Sequence, residues 1–158
     1  MALYTLDEIF QMAAQLEDSG RFFYEAVARE CPNVAVAELC RHLAAEEQAH
    51  SATFDAMRKA LIDRAESRRM VLEKMEFAQA LIQEGVLPLE AEARGIAEGS
   101  SVADLLDMAI QMEADSVAFY TELLPAVDAE DAAAVERIIQ EEKSHDRQLR
   151  EAREISTA

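Results

Sequence analysis

The sequence predicts an all-α protein, a four-helix bundle built from two helical hairpins joined by one long crossover. Three observations lead there. Among 158 residues there are only four glycines and three prolines, while alanine, glutamate, leucine and methionine are prominent; these residues lose little on entering a helix. Apolar residues recur at helical rather than strand spacing. The two halves of the chain also repeat one another, motif for motif. The length suits a single domain over 1–158 with a real core, divided into a hairpin at 5–64, a crossover at 65–100 and a hairpin at 101–154.

Thr5-Leu-Asp-Glu8, near the N-terminus, reads as a capping box, in which the threonine oxygen takes a free helix N–H and Glu8 reaches back. Tyr4 and Ile9 stand at the hydrophobic-staple positions. Ile9, Phe10, Ala13, Leu16, Phe23 and Val27 carry the helix to about Glu30. Cys31-Pro32-Asn33 breaks it, and Asn33 caps a second helix over about 34–64, with Leu39, Leu43, Phe54, Met57 and Leu61 on its apolar face. The crossover is less regular. Residues 70–83 read as a short extra helix, and Gly85, Pro88, Gly95 and Gly99 punctuate the rest of the crossover. Ser101-Val-Ala-Asp104 starts the third long helix, which Pro125 ends near Leu124. Asp128 caps the fourth, which runs to about Glu154.

A net charge of -17 repels DNA, RNA and anionic lipid, so neither a nucleic-acid nor a membrane partner is expected, and cations are attracted. Two cysteines, Cys31 and Cys40, make no disulfide framework and no Cys-x-x-Cys pair; they read as reduced thiols. No basic and apolar leader is present, and no apolar run approaches a membrane span. A cytoplasmic protein is expected.

The repeat carries the chemistry. Met12-Ala-Ala-Gln-Leu-Glu17 precedes Phe23-Tyr24, and Met108-Ala-Ile-Gln-Met-Glu113 precedes Phe119-Tyr120. Downstream, Glu46-Glu47-Gln-Ala-His50 matches Glu141-Glu142-Lys-Ser-His145. Each hairpin therefore holds one mid-helix glutamate and one Glu-x-x-His. An antiparallel hairpin brings together residues equidistant from its turn. The midpoint of Glu17 and Glu47 is Pro32, and that of Glu113 and Glu142 falls between Val127 and Asp128, both inside predicted turns. All four glutamates should lie at one level of the bundle.

Residues i and i+3 share a helix face. Glu47 and His50, flanked by Leu43 and Phe54, and Glu142 and His145, flanked by Ile138 and Leu149, then belong to the buried stripe. Four buried carboxylates must be protonated, paired or metal-bound. Two divalent cations would neutralise them, with one neutral imidazole for each. A glutamate from each of two helices and Glu-x-x-His from each of two others is the donor set of di-iron and di-manganese bundles. Glu17, Glu47, His50, Glu113, Glu142 and His145 are the candidate ligands; the plain alternative is solvated carboxylates on a structural bundle. Glu46 and Glu141 read as a solvated flank, with a hydrogen bond to a ligand as the alternative. Tyr24 and Tyr120, two turns beyond Glu17 and Glu113, are candidate catalytic residues that bond a ligand or carry an electron; the alternative is packing with a satisfied hydroxyl. His42 reads as an ordinary, partly exposed histidine, and the methionines as core filler.

At these residues the chain resembles the ferritin-like superfamily and, within it, the rubrerythrin branch, over all four long helices. The resemblance implies that Glu47 and Glu142 bridge two metals, that Glu17 and Glu113 are terminal ligands, and that His50 and His145 bind one metal each. It implies two iron ions per chain, with manganese or zinc as alternatives, and an oxidoreductase that reacts with hydrogen peroxide or dioxygen. Rubrerythrins usually carry a rubredoxin domain with four cysteines; with two cysteines here, electrons would come from an external donor such as a rubredoxin. That branch places a further glutamate in the third helix, one turn after its ligand; here Ser116 stands there, and the equivalent place in the first helix is Gly20. Gln48 stands where bacterioferritins have a haem-binding methionine, so no haem is expected. The crossover is longer than in either group. A homodimer or larger homo-oligomer is expected. Two other readings remain, a ferroxidase or iron-storage protein and a non-enzymatic metal-stabilised bundle.

Overall fold

Thr5 starts the first helix through its side chain: its Oγ1 accepts from the Glu8 N–H at 3.2 Å, and the Glu8 carboxylate accepts from the Thr5 N–H at 2.7 Å. A computed structural model describes residues 3–63, 69–71 and 90–157. Strand β1 (Leu3–Thr5) leads into α1 (Leu6–Glu30), which ends at Cys31. Asn33 Oδ1 accepts from Val36 N–H at 3.1 Å and caps α2 (Val34–Asp63). In the crossover lie β2 (Arg69–Val71), antiparallel to β1 with Tyr4 opposite Met70, and α3 (Glu90–Gly99). Ser101 Oγ accepts from Asp104 N–H at 3.1 Å at the start of α4 (Val102–Leu123). A 3-10 turn at Leu124–Ala126 contains Pro125 and leads to α5 (Ala129–Thr157), capped by Asp128 Oδ1 on Asp131 N–H at 3.0 Å. The long helices α1, α2, α4 and α5 form the four-helix bundle, with the crossover between α2 and α4.

Two apolar clusters fill the bundle. One gathers Ile9, Phe10 and Ala13 of α1, Phe54, Met57 and Leu61 of α2, Phe119 and Leu123 of α4, and Val135 and Ile138 of α5. The other holds Phe23 and Val27, Val36, Cys40 and Leu43, Leu105 and Leu106, and Leu149. Each large apolar side chain so buried contributes about 1.5–3 kcal/mol, and every long helix contributes to both clusters. That holds the stretch between the clusters in place, where the polar residues of the repeat lie. Among the described residues no helix is long and apolar enough to cross a membrane. Cys31 and Cys40 are both free. Burial, with a smaller effect of Cys31, pushes the Cys40 thiol up to about 12, so it stays protonated and inert.

The crossover departs from expectation. Positions 70 and 71, the start of the expected 70–83 helix, are strand; the rest of that stretch lies outside the described residues. Gly95, expected as punctuation, sits inside α3. A glycine there costs about 1 kcal/mol relative to alanine. Burial of Ala93 and Ala97 in the second cluster, which also holds α1 residues, offsets that cost. The ribbon's two strands are three residues each, too short to show an alternating pattern in the sequence.

Candidate metal centre

Six side chains meet in the layer between the two clusters: Glu17 from α1, Glu47 and His50 from α2, Glu113 from α4, and Glu142 and His145 from α5. Each is between 1% and 4% exposed, far drier than unpaired carboxylates tolerate. Their donor atoms form two groups. Glu17, Glu47, His50 and Glu142 each offer one atom within 4.8 Å of the others, and so do Glu47, Glu113, Glu142 and His145. Glu47 and Glu142 belong to both.

The orientation is specific. His50 Nδ1 lies 2.7 Å from Glu142 Oε1, 3.2 Å from Glu17 Oε2 and 3.5 Å from Glu47 Oε2. His145 Nδ1 lies 3.6 Å from Glu47 Oε1, 3.6 Å from Glu113 Oε2 and 3.8 Å from Glu142 Oε2. Each shared carboxylate thus turns one oxygen to each histidine. The two imidazoles stack, with centroids 5.8 Å apart and planes inclined by 20°.

The outer nitrogens are held from the opposite hairpin. His50 Nε2 is 2.8 Å from Glu141 Oε2, and His145 Nε2 is 2.5 Å from Glu46 Oε2. A neutral imidazole carries one N–H. Placed on Nε2, it donates to the outer carboxylate and leaves the Nδ1 lone pair facing the cluster. This corrects the reading of Glu46 and Glu141 as a solvated flank alone: they are 38% and 43% exposed and also grip the buried histidines. His42 is exposed, as expected, but its Nε2 stands 3.5 Å from Glu46 Oε1.

The tyrosines also cross between hairpins. The Tyr24 hydroxyl donates to Glu113 Oε1, and the Tyr120 hydroxyl donates to Glu17 Oε1. Burial, and then the charges of Glu113 for Tyr24 and Glu17 for Tyr120, push both phenols well above the ordinary range. They remain protonated donors. Of the alternatives for these residues, the hydrogen bond to a candidate ligand is present, made to the glutamate of the other half rather than to Glu17 from Tyr24.

Electrostatics within the layer are unbalanced without a cation. Burial raises Glu47 and Glu142 well above the carboxylate range, reinforced by the charge of Glu17 at Glu47 and of Glu47 at Glu142. Burial also opposes ionisation of Glu17, but hydrogen bonds from Glu47, His50 and Tyr120 prevail and hold it low. Burial works against charge on the imidazoles too; their carboxylate neighbours outweigh it, raising His50 strongly and His145 to about 9. Both Glu142 oxygens and His145 Nδ1 are buried without a hydrogen-bond partner. The 2.7 Å approach of His50 to Glu142 Oε1 is close but off the hydrogen-bond direction. Donor atoms that are dry, unsatisfied and convergent suit divalent cations. Gly20 lets Glu47 lie against α1: a Cβ there would stand 3.6 Å from Glu47 Cγ and Cδ, so a longer side chain would enter that carboxylate's space.

The bundle, with its buried layer of four glutamates and two histidines, defines a protein of the ferritin-like class. The sequence from residue 8 to residue 153 matches the rubrerythrin family model, and the chain belongs to the rubrerythrin family. A search of curated proteins found no match. A crystal structure from Thermotoga maritima, assigned as a ferritin-like diiron-carboxylate protein, superimposes with a TM-score of 0.78 over 99% of both chains at 24% identity. That likeness is one of fold.

Proposed function

We propose that the layer is a dinuclear carboxylate centre, loaded with iron or manganese, that reduces hydrogen peroxide or dioxygen. The observation that carries this reading is the double membership of Glu47 and Glu142, each turning one oxygen to His50 and the other to His145. One cation would take Glu17 and His50, the other Glu113 and His145, and the shared carboxylates would bridge them. A pair of redox-active cations supplies two electrons at one place, the number that converts one peroxide, with two protons, into two waters. An external donor of the rubredoxin kind would restore those electrons.

The chain's own residues have defined tasks in this reading. Glu46 and Glu141 hold the histidines in one tautomer and one ring orientation. Tyr24 and Tyr120 hold the terminal glutamates, leaving Glu113 Oε2 and Glu17 Oε2 facing the histidines. The clusters above and below keep bulk water out, which strengthens each electrostatic contact inside.

The test is an anaerobic ferrous titration of metal-stripped protein, followed by mixing with peroxide or with dioxygen. Two ions bound per chain and faster oxidation by peroxide support a peroxidase. Faster oxidation by dioxygen, with release of ferric iron, moves the assignment to a ferroxidase. Fewer than two ions bound overturns the dinuclear reading.

A further inference from the structure

The repeat places the same position of each half one turn before the outer carboxylate: His42 precedes Glu46 by four residues, and Arg137 precedes Glu141 by four. Further in, the two paths match, Glu46 to His145 on one side and Glu141 to His50 on the other. At this outermost step they differ in chemistry. Arg137 Nε stands 4.0 Å from Glu141 Oε1, and His42 Nε2 stands 3.5 Å from Glu46 Oε1. A guanidinium is always charged, whereas an imidazole bears a full charge only when protonated.

We propose that His42 and Arg137 are positioning residues that make the two cation positions unequal, the first divalent cation being taken on the His145 side. The inference rests on the dinuclear reading above. A carboxylate that accepts an imidazole N–H strengthens the other ring nitrogen as a ligand. Arg137 draws on the charge of Glu141 and leaves less of it to polarise His50. Its positive charge also disfavours a cation at the position formed by Glu17, Glu47, His50 and Glu142. The neighbour of Glu46 at this step is an imidazole in place of a guanidinium, and Glu46 approaches its histidine more closely, 2.5 Å against 2.8 Å. The position formed by Glu47, Glu113, Glu142 and His145 is therefore the tighter one. Arg137 and His42 are 63% and 57% exposed. Water and salt screen such contacts, so the preference is about three- to fivefold rather than the larger effect of removing the outer carboxylate itself.

The experiment exchanges the two residues. The metal-stripped full chain receives one equivalent of cobalt(II), and the hyperfine-shifted Nε2–H protons of His50 and His145 are compared by NMR, assigned with His50→Gln and His145→Gln. The unaltered protein should show the His145 signal about three- to fivefold stronger. The double variant His42→Arg with Arg137→His has the same residue composition and should invert the ratio. Lys143, the exposed counterpart of Gln48, is unchanged in both proteins, so the inversion isolates the exchanged pair. Equal filling in the unaltered protein, or a ratio that the exchange leaves alone, overturns the inference while the dinuclear centre stands. Failure to take up any cation overturns the dinuclear reading itself, and this inference with it.

Discussion

His145 on α5 and Glu46 on α2 lie 2.5 Å apart, Nε2 to Oε2, and join the two hairpins across the buried layer. His50 and Glu141 repeat the contact in the opposite sense. Each hairpin thus orients the histidine of the other, so neither half of the layer is organised by its own hairpin alone.

Removing one outer carboxylate should loosen one ring. Glu46→Ala should lower the affinity for divalent cations by about tenfold or more while leaving the fold intact, since Glu46 itself is 38% exposed. A competition titration with zinc and a chromophoric chelator measures it. Unchanged affinity would mean that the contact orients nothing of consequence.

Glu142 has two buried oxygens without a hydrogen-bond partner and a carboxyl that burial, then the charges of Glu47 and Glu17, raise well above its ordinary range. Glu142→Gln keeps the shape and removes the charge. Paired cation binding should be lost, and thermal unfolding of the metal-stripped protein should stay level or rise. A marked fall in its Tm would show that Glu142 stabilises the fold by itself.

The metal-stripped protein should lose stability as pH rises. Glu47, Glu142, His50 and His145 all have folded-state values above their unfolded ones. Such groups contribute stability that is fully present below the unfolded value and lost as pH climbs through the folded one. For His145 the window runs from 6.5 to about 9 and is worth on the order of 3 kcal/mol. Glu17 acts in the opposite sense, only at the acid end, where protonation through its lowered value removes its contribution. Unfolding scans between pH 6.5 and 9 should show Tm falling without metal and nearly level with saturating zinc. A Tm that rises over this range without metal would show that folding does not raise the proton affinity of these groups.

Tyr120→Phe removes the phenol that donates to Glu17 Oε1. Losing a donor to a buried carboxylate costs about 1–3 kcal/mol, so Tm of the metal-stripped protein should fall. A cation in the His50 group should also bind more weakly, since Glu17 belongs to that group and not to the other. Tyr24→Phe should act on the His145 group through Glu113. Site-resolved cobalt NMR distinguishes the two, and identical effects would contradict the crossed pairing.

Much of this was legible in one dimension. Thr5, Asn33, Ser101 and Asp128 announce helix starts because a cap is a local bond between a side chain and the next turn. Glu47 with His50, and Glu142 with His145, are readable as facing one way because a helix repeats every 3.6 residues. The turn at Pro32 sets the level of Glu17 against Glu47, and the turn at Val127–Asp128 that of Glu113 against Glu142. The relation between the hairpins is another matter. The crossover is too long to impose a register, so the partners of Tyr24, Tyr120, Glu46 and Glu141 on the opposite half, and the sharing of Glu47 and Glu142 between two groups, arise only when the clusters around Phe54 and Leu43 close. The same holds for α3, where buried Ala93 and Ala97 override the breaker at Gly95, and for the β1–β2 ribbon, whose partners are more than 60 residues apart. Local chemistry writes itself into spacing; contacts between distant segments exist only once packing has brought those segments together.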